Sequence, residues 1–157
     1  MSLKRLAMNL RSKEMRGKFL LDSNVFLSYL KGDELAVHAE NIVKSIVGGT
    51  INAFVSSILY DDVISGLRSK GMVLTEITKV LTDIASIPHT SLPVTPTIAI
   101  SALKLYIRHG GQRKLHYFDA FHVATARIQE LPIITSDKYI QEQQKDLGIN
   151  AIDLRSL

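Results

Sequence analysis

Short apolar runs that stop abruptly on polar residues, separated by stretches of helical period, constrain this chain more than any other feature. Phe19 to Leu21 is apolar and gives way to Asp22; Ile51 to Val55 follows the turn signal Gly48-Gly49 and gives way to Ser56 and Ser57. Ile133 to Thr135 follows Pro132 and precedes Ser136 and Asp137. A short apolar run bounded by turn residues reads as a strand buried on both faces, the kind found in parallel sheets. Leu92 to Val94 is a weaker strand, because Pro93 cannot donate to a ladder and Pro96 follows closely, which confines the segment to an edge or a strand terminus. Asn150 to Leu154, after Gly148, is the expected last strand.

Helical period fills the intervals. Glu34 to Val47 carries Leu35, Ala39, Ile42, Val43 and Ile46 on one stripe, and Val73 to Ile84 repeats the pattern with Ile77, Val80, Leu81 and Ile84. Thr97 to Ile107 follows Pro96 at a helix-starting position, and Phe118 to Ile128 aligns Phe121, Ala124, Thr125 and Ile128. Strands alternating with helices predict an α/β fold. The expected form is a three-layer sandwich with a mostly parallel sheet of about five strands flanked by helices. At 157 residues and 46% hydrophobic, the chain amounts to one domain with a real core.

The charge is unevenly placed. Of 19 basic and 15 acidic residues, the first 18 positions hold six basic ones (Lys4, Arg5, Arg11, Lys13, Arg16, Lys18) and only Glu14, leaving 13 against 14 for the rest. Residues 1–17 therefore read as a basic arm, which suits phosphate contact or a solvated leader, and residues 18–157 as the domain. The chain has no cysteine, which excludes disulfides, thiolate nucleophiles and Cys-based zinc or iron–sulfur sites. No apolar run approaches the roughly 18–20 residues of a membrane span, and no apolar stretch follows the basic start as in a signal peptide. A cytoplasmic location with no membrane partner is expected.

Ligands of open α/β sheets bind beyond the carboxyl ends of the strands. Acids recur there. Asp22, Ser23 and Asn24 follow the first strand, and a helix bearing Asp61 and Asp62 follows the second. Asp119 opens the helix before the strand that ends at Thr135, and Asp137 comes just after that strand. Carboxylates gathered at one edge repel one another unless some hold protons or a cation neutralises them. Oxygen ligands select Mg²⁺ or Mn²⁺. Such ions, paired at about 3.5–4 Å, make hydroxide from water and stabilise both the attacking and leaving oxygens at phosphorus. A metal-dependent phosphodiesterase is one expectation. The other is local: Asp22 and Asp137 as helix caps, Asp119 as a first-turn acid favoured by the helix dipole.

Asp61 and Asp62 are about 100° apart on their helix and cannot face one cleft equally. Asp62 shares a stripe with Ile58 and Gly66, whereas Asp61 shares one with Ser57, Ser65 and Arg68, so Asp62 is expected to face inward. His38, His89, His109, His116 and His122 form no pair at metal-ligand spacing with a third ligand and are read as non-ligands. Lys104, Arg108, His109, Arg113, Lys114 and His116 lead up to Asp119, either as a phosphate-contacting rim (Arg108, Arg113 and Lys114 above all) or as a solvated helix end and loop.

The order LLDSNVF, SSILYDDVISGL, YFDAFHVATA, LPIITSD resembles the PIN domain, and VapC-type toxin ribonucleases most of all, over roughly residues 18–154. The resemblance implies a sheet of about five parallel strands and a Mg²⁺- or Mn²⁺-dependent endoribonuclease with one acid at each motif. Asp22 matches the first acid, Asp119 the third and Asp137 the fourth, with Thr135 matching the hydroxyl two before the last. The second acid is usually Glu, four residues before a common Gly. Gly66 points back to Asp62, a shorter side chain, with Asp61 as its competing neighbour. Asn24 matches a polar residue beside the metal site. The family further implies RNA as substrate, a small antitoxin partner and a homodimer, or, if cleavage has been lost, a PIN-fold module that only binds RNA or protein. A phosphatase of the haloacid-dehalogenase type also opens with an acid after a strand, but its second acid would fall at Asn24, which has no acidic proton to donate.

Overall fold

The computed structural model describes residues 16–157, so residues 1–15 of the expected basic arm lie outside it. β1 (Gly17–Leu21) leads into α1 (Ser23–Lys31) and α2 (Ala36–Val47). β2 (Ile51–Ser56) is followed by α3 (Leu59–Ser69) and α4 (Leu74–Ser86), and β3 (Thr90–Leu92) by α5 (Pro96–His109) and α6 (Tyr117–Ile128). β4 (Ile133–Thr135) leads to two short helices, α7 (Lys138–Glu142) and α8 (Gln144–Leu147), and β5 (Ala151–Asp153) runs into a final turn of 3₁₀ helix. The five strands form one sheet in the order β3-β2-β1-β4-β5, every pairing parallel.

The alternation of side chains along the strands builds the three layers. Phe19, Leu21, Ala53, Val55 and Ile134 point into one core with Phe26, Ile42, Leu59, Val63 and Ile84 of α1 to α4. Leu20 and Ile133 point the other way, where Ala126 of α6 covers them. Ile98, Ala102, Phe121, Ala124 and Ile140 extend that second layer through α5, α6 and α7. Phe19 to Leu21 and Ile133 to Ile134 are apolar without alternation because helices cover both faces.

β1 starts two residues before the expected Phe19, β2 runs one past Val55, and the two edge strands also differ from the sequence expectation. β3 spans Thr90–Leu92 rather than Leu92 to Val94, and it lies at the sheet edge. Pro93 explains the shift: it cannot supply a ladder N–H, so pairing stops before it. β5 stops at Asp153, whose side chain accepts from the Arg155 N–H and starts the 3₁₀ turn over Leu154. No described helix is long and apolar enough to cross a membrane.

Candidate functional site

Register places the first acid. β1 pairs with β4 through Leu20 with Ile133 and Leu21 with Ile134, and the Asp22 N–H donates to the Ile134 carbonyl at 3.1 Å. Asp22 therefore leaves the sheet beside Thr135. It is 1% exposed, yet both carboxylate oxygens have partners. Oδ1 accepts from the Ser23 N–H at 2.7 Å; Oδ2 accepts from the Thr135 hydroxyl at 2.7 Å and from the Asn24 amide at 3.2 Å. Asn24 in turn accepts weakly from the Ser136 N–H at 3.4 Å, and the Asp137 N–H donates to Thr135 Oγ1 at 3.0 Å. These bonds stitch the ends of β1 and β4 together and fix the direction in which Asp22 presents its carboxylate.

Asp137 caps α7, with Oδ1 accepting from the Ile140 N–H at 3.0 Å. Capping a helix and joining a cluster of acids are alternatives in the sequence, but the geometry satisfies both. A carboxylate has two oxygens and about four lone-pair sites, so a cap bond leaves capacity facing the cleft. The same holds for Asp22 at the head of α1.

α6 brings Asp119 in its first turn and His122 one turn later on the same side. α3 brings Asp62, whose Oδ2 lies 2.9 Å from His122 Nε2. Asp22, Asp62, Asp119 and His122 each offer a ligand atom, all within 4.8 Å of one another; His116, Asp119 and Asp137 form a second such group that shares Asp119. His116 Nδ1 stands 3.4 Å from Asp119 Oδ2. Asp61 is exposed and belongs to neither group among the described residues.

The structure adds two observations to the sequence reading. His122 and His116 belong to no histidine pair at ligand spacing, which sets them apart from the acids in the sequence, but both reach those acids in the fold. The signal is present in the sequence as the spacing of Asp119 and His122, three apart and so adjacent on one helix face. Arg108, expected at the rim, is ion-paired at 2.7 Å with Asp146, while Arg113 and Lys114 are exposed in the loop before α6.

The electrostatics are those of carboxylates gathered around one buried histidine. Burial pushes the Asp22 carboxyl above its ordinary value, opposed by the His122 charge and the Thr135 hydrogen bond and reinforced by Asp62. Burial also drives Asp119, together with the negative charges of Asp22, Asp137 and Asp62, up to about 8. For His122 burial acts downward, but the Asp62 hydrogen bond and the surrounding carboxylates outweigh it, and the net shift is upward. All three groups thus hold a proton more tightly than usual. Three carboxylates converging at this range, with oxygen donors dominant, suit a hard divalent cation.

The PIN domain family profile matches residues 19–146, and the chain belongs to the PIN-domain family. No curated protein sequence matches it significantly. Among solved structures, a chain of VapBC2 from Rickettsia felis bound to a promoter DNA fragment is similar at TM-score 0.65 and 11% identity, covering 87% of this chain and 98% of that one. A chain of FitAcB from Neisseria gonorrhoeae is similar at 0.59 and 18%, covering 88% and 99%, and one of DNA-bound VapBC from Salmonella typhimurium at 0.60 and 19%, covering 87% and 98%. At these identities the likeness is one of fold, and it agrees with the five-stranded parallel sheet between two helical layers.

Proposed function

We propose that the protein is a Mg²⁺- or Mn²⁺-dependent endoribonuclease, the toxin half of a toxin–antitoxin pair. The observation that carries this reading is the convergence of Asp22, Asp62 and Asp119, from three separate elements, on one buried point. PIN-domain membership supports nuclease chemistry, and the acids fit the ion such chemistry uses. Asp22, Asp62 and Asp119 would hold the cation, with Asp137 completing the outer side. When bound, the ion would act as a Lewis acid on the phosphate and lower the pKa of the attacking water.

The chain's own residues have separable tasks. Thr135, Asn24 and the Ser23 N–H fix Asp22 so that no rotamer search precedes binding. Asp137, held by its cap bond, faces the cleft from the β4 side. Arg113 and Lys114, exposed beside Asp119 in sequence, would meet the phosphates flanking the scissile bond. RNA is the proposed substrate and the cytoplasm the proposed location.

Solved neighbours that include a toxin–antitoxin complex from Klebsiella pneumoniae and a member of the VapBC family of toxin–antitoxin systems from Mycobacterium tuberculosis support a small protein antitoxin as partner. Ile100, Leu103 and Ile107, exposed along one stripe of α5, support self-association as a homodimer. The test of the activity is cleavage of single-stranded and structured RNA with Mg²⁺, Mn²⁺ or EDTA. Cleavage with either ion and none in EDTA is the expected result; full activity in EDTA would overturn the metal chemistry. RNA binding without cleavage under every metal condition would leave a binding module instead.

A further inference from the structure

His122 is fully buried in the middle of α6, in a layer otherwise packed from Phe121, Val123, Ala124 and Ala126. An apolar residue would fill that place without penalty. The imidazole brings two polar nitrogens, and only one is used: Nε2 meets Asp62 Oδ2 at 2.9 Å, while Nδ1 is buried with no hydrogen-bond partner among the described residues. Burying an unpaired polar atom costs about 1–3 kcal/mol. The single contact with Asp62 is therefore the reason for the residue rather than a by-product of packing.

Asp62 itself sits at the inner group with a short side chain on α3. Free rotation about its two torsions would let it turn to solvent, since it is 19% exposed at the side chain. The bond to a completely enclosed ring removes that freedom. It anchors Oδ2 and leaves Oδ1 as the oxygen available to a cation held with Asp22 and Asp119. An imidazole nitrogen that gives its N–H to Asp62 has no lone pair there to offer a cation, so Nε2 acts on the carboxylate rather than on the metal.

We infer that His122 is the positioning residue for Asp62: its Nε2–H clamps one carboxylate oxygen so that the other is presented to the cation site. The inference rests on the metal-site reading above and extends it to a residue that touches neither substrate nor ion. Outer-shell partners of metal ligands typically contribute about 10–100-fold in affinity.

The test is Mn²⁺ affinity, measured by titration calorimetry on the full chain, for wild type, His122→Leu, His122→Gln and His122→Asn. Glutamine places an amide N–H near the position of Nε2, whereas asparagine is polar but too short and leucine has no donor. Expected are a loss of about 10-fold or more for leucine and asparagine and near-complete retention for glutamine. In an Asp62→Ala background, His122→Leu should produce no further loss, because the two residues act as one unit. If leucine prevents folding, the glutamine–asparagine comparison carries the same information. Equal affinity in all four proteins would overturn the inference, and so would equal losses for glutamine and asparagine, which would make shape or direct ligation the cause. A wild type that binds no Mn²⁺ would instead remove the metal-site reading on which the inference rests.

Discussion

Two buried histidines, each against an aspartate, stand in regions of different charge. His109, at the end of α5, has Nδ1 2.8 Å from the Tyr139 hydroxyl of α7 and Nε2 2.8 Å from Asp146 Oδ2. The second contact is bent away from a straight hydrogen bond, but it is at ion-pair range. Asp146 also receives Arg108 at 2.7 Å, so the acid has cationic company of its own. His122 has one nitrogen on Asp62 and one on nothing among the described residues, and Asp62 faces two more carboxylates rather than an arginine. The His109 network balances within the chain and ties α5 to α7 and α8. The His122 network instead sets three carboxylates around one imidazole. Similar residue pairs thus do different work, and the difference lies in what their neighbours leave unsatisfied.

Replacing the acids themselves should separate the two regions most strongly. Asp22→Asn, Asp119→Asn or Asp137→Asn should each lower RNA cleavage by about 100-fold or more, beyond the range of outer-shell partners. Asp146→Asn should leave it within about threefold, since no cation site depends on it. Initial rates on one RNA under saturating Mn²⁺ check both; an Asp146 variant as inactive as the Asp119 variant would erase the distinction.

Next in size is the contrast within α3. Asp62→Ala should weaken Mn²⁺ binding by about 10-fold or more, while exposed Asp61→Ala should change it little and shift stability by no more than about 0.5 kcal/mol. If Asp61→Ala is the more damaging in calorimetry, the second ligand belongs one residue earlier.

Stability should move in opposite senses in the two regions. Asp146→Asn removes the acid shared by His109 and Arg108 and should destabilise by up to about 1 kcal/mol. Asp119→Asn relieves a buried, repelled carboxylate and should hold or raise the metal-free melting temperature. Thermal melts in EDTA measure both. A clear drop for Asp119→Asn would make that acid a structural cap.

A pH slope should accompany these effects. Asp22, Asp119 and His122 all carry protons more tightly in the fold than in the unfolded chain. A raised value stabilises at low pH, and the benefit is lost as pH rises through the folded value. For Asp119 that window runs from 3.8 to about 8. Metal-free stability should fall across it, and the fall should shrink in Asp119→Asn. Denaturant melts at a mildly acidic and a mildly alkaline pH inside that window would show it; an unchanged slope in the variant would mean that Asp119 is not the group responsible.

The central strands are legible in the sequence because apolar runs end on polar residues, so period and punctuation agree at Leu21, Val55 and Thr135. The acids are legible for the same reason: parallel strands deliver the residues just beyond them to one edge. Asp62 over Asp61 can be read from the helix stripe, and the structure turns Asp62 to His122 and Asp61 to solvent. His122 is not legible by a search for histidine pairs, because its partner is an aspartate 60 residues away on another element. The fate of Arg108 is equally hidden: its partner Asp146 is 38 residues on, and only packing decides whether a cation faces RNA or an acid of its own chain.

Whether a divalent cation completes the cluster around Asp119 is tested most directly by titrating Mn²⁺ near neutral pH in buffers of different ionisation enthalpy. A carboxyl whose value lies at about 8 is largely protonated there, so a cation that takes its place must expel the proton. Saturable binding with a buffer-dependent heat, both absent in Asp119→Asn, is the expected result. No binding, or binding that is unchanged in Asp119→Asn and releases no proton, would contradict it.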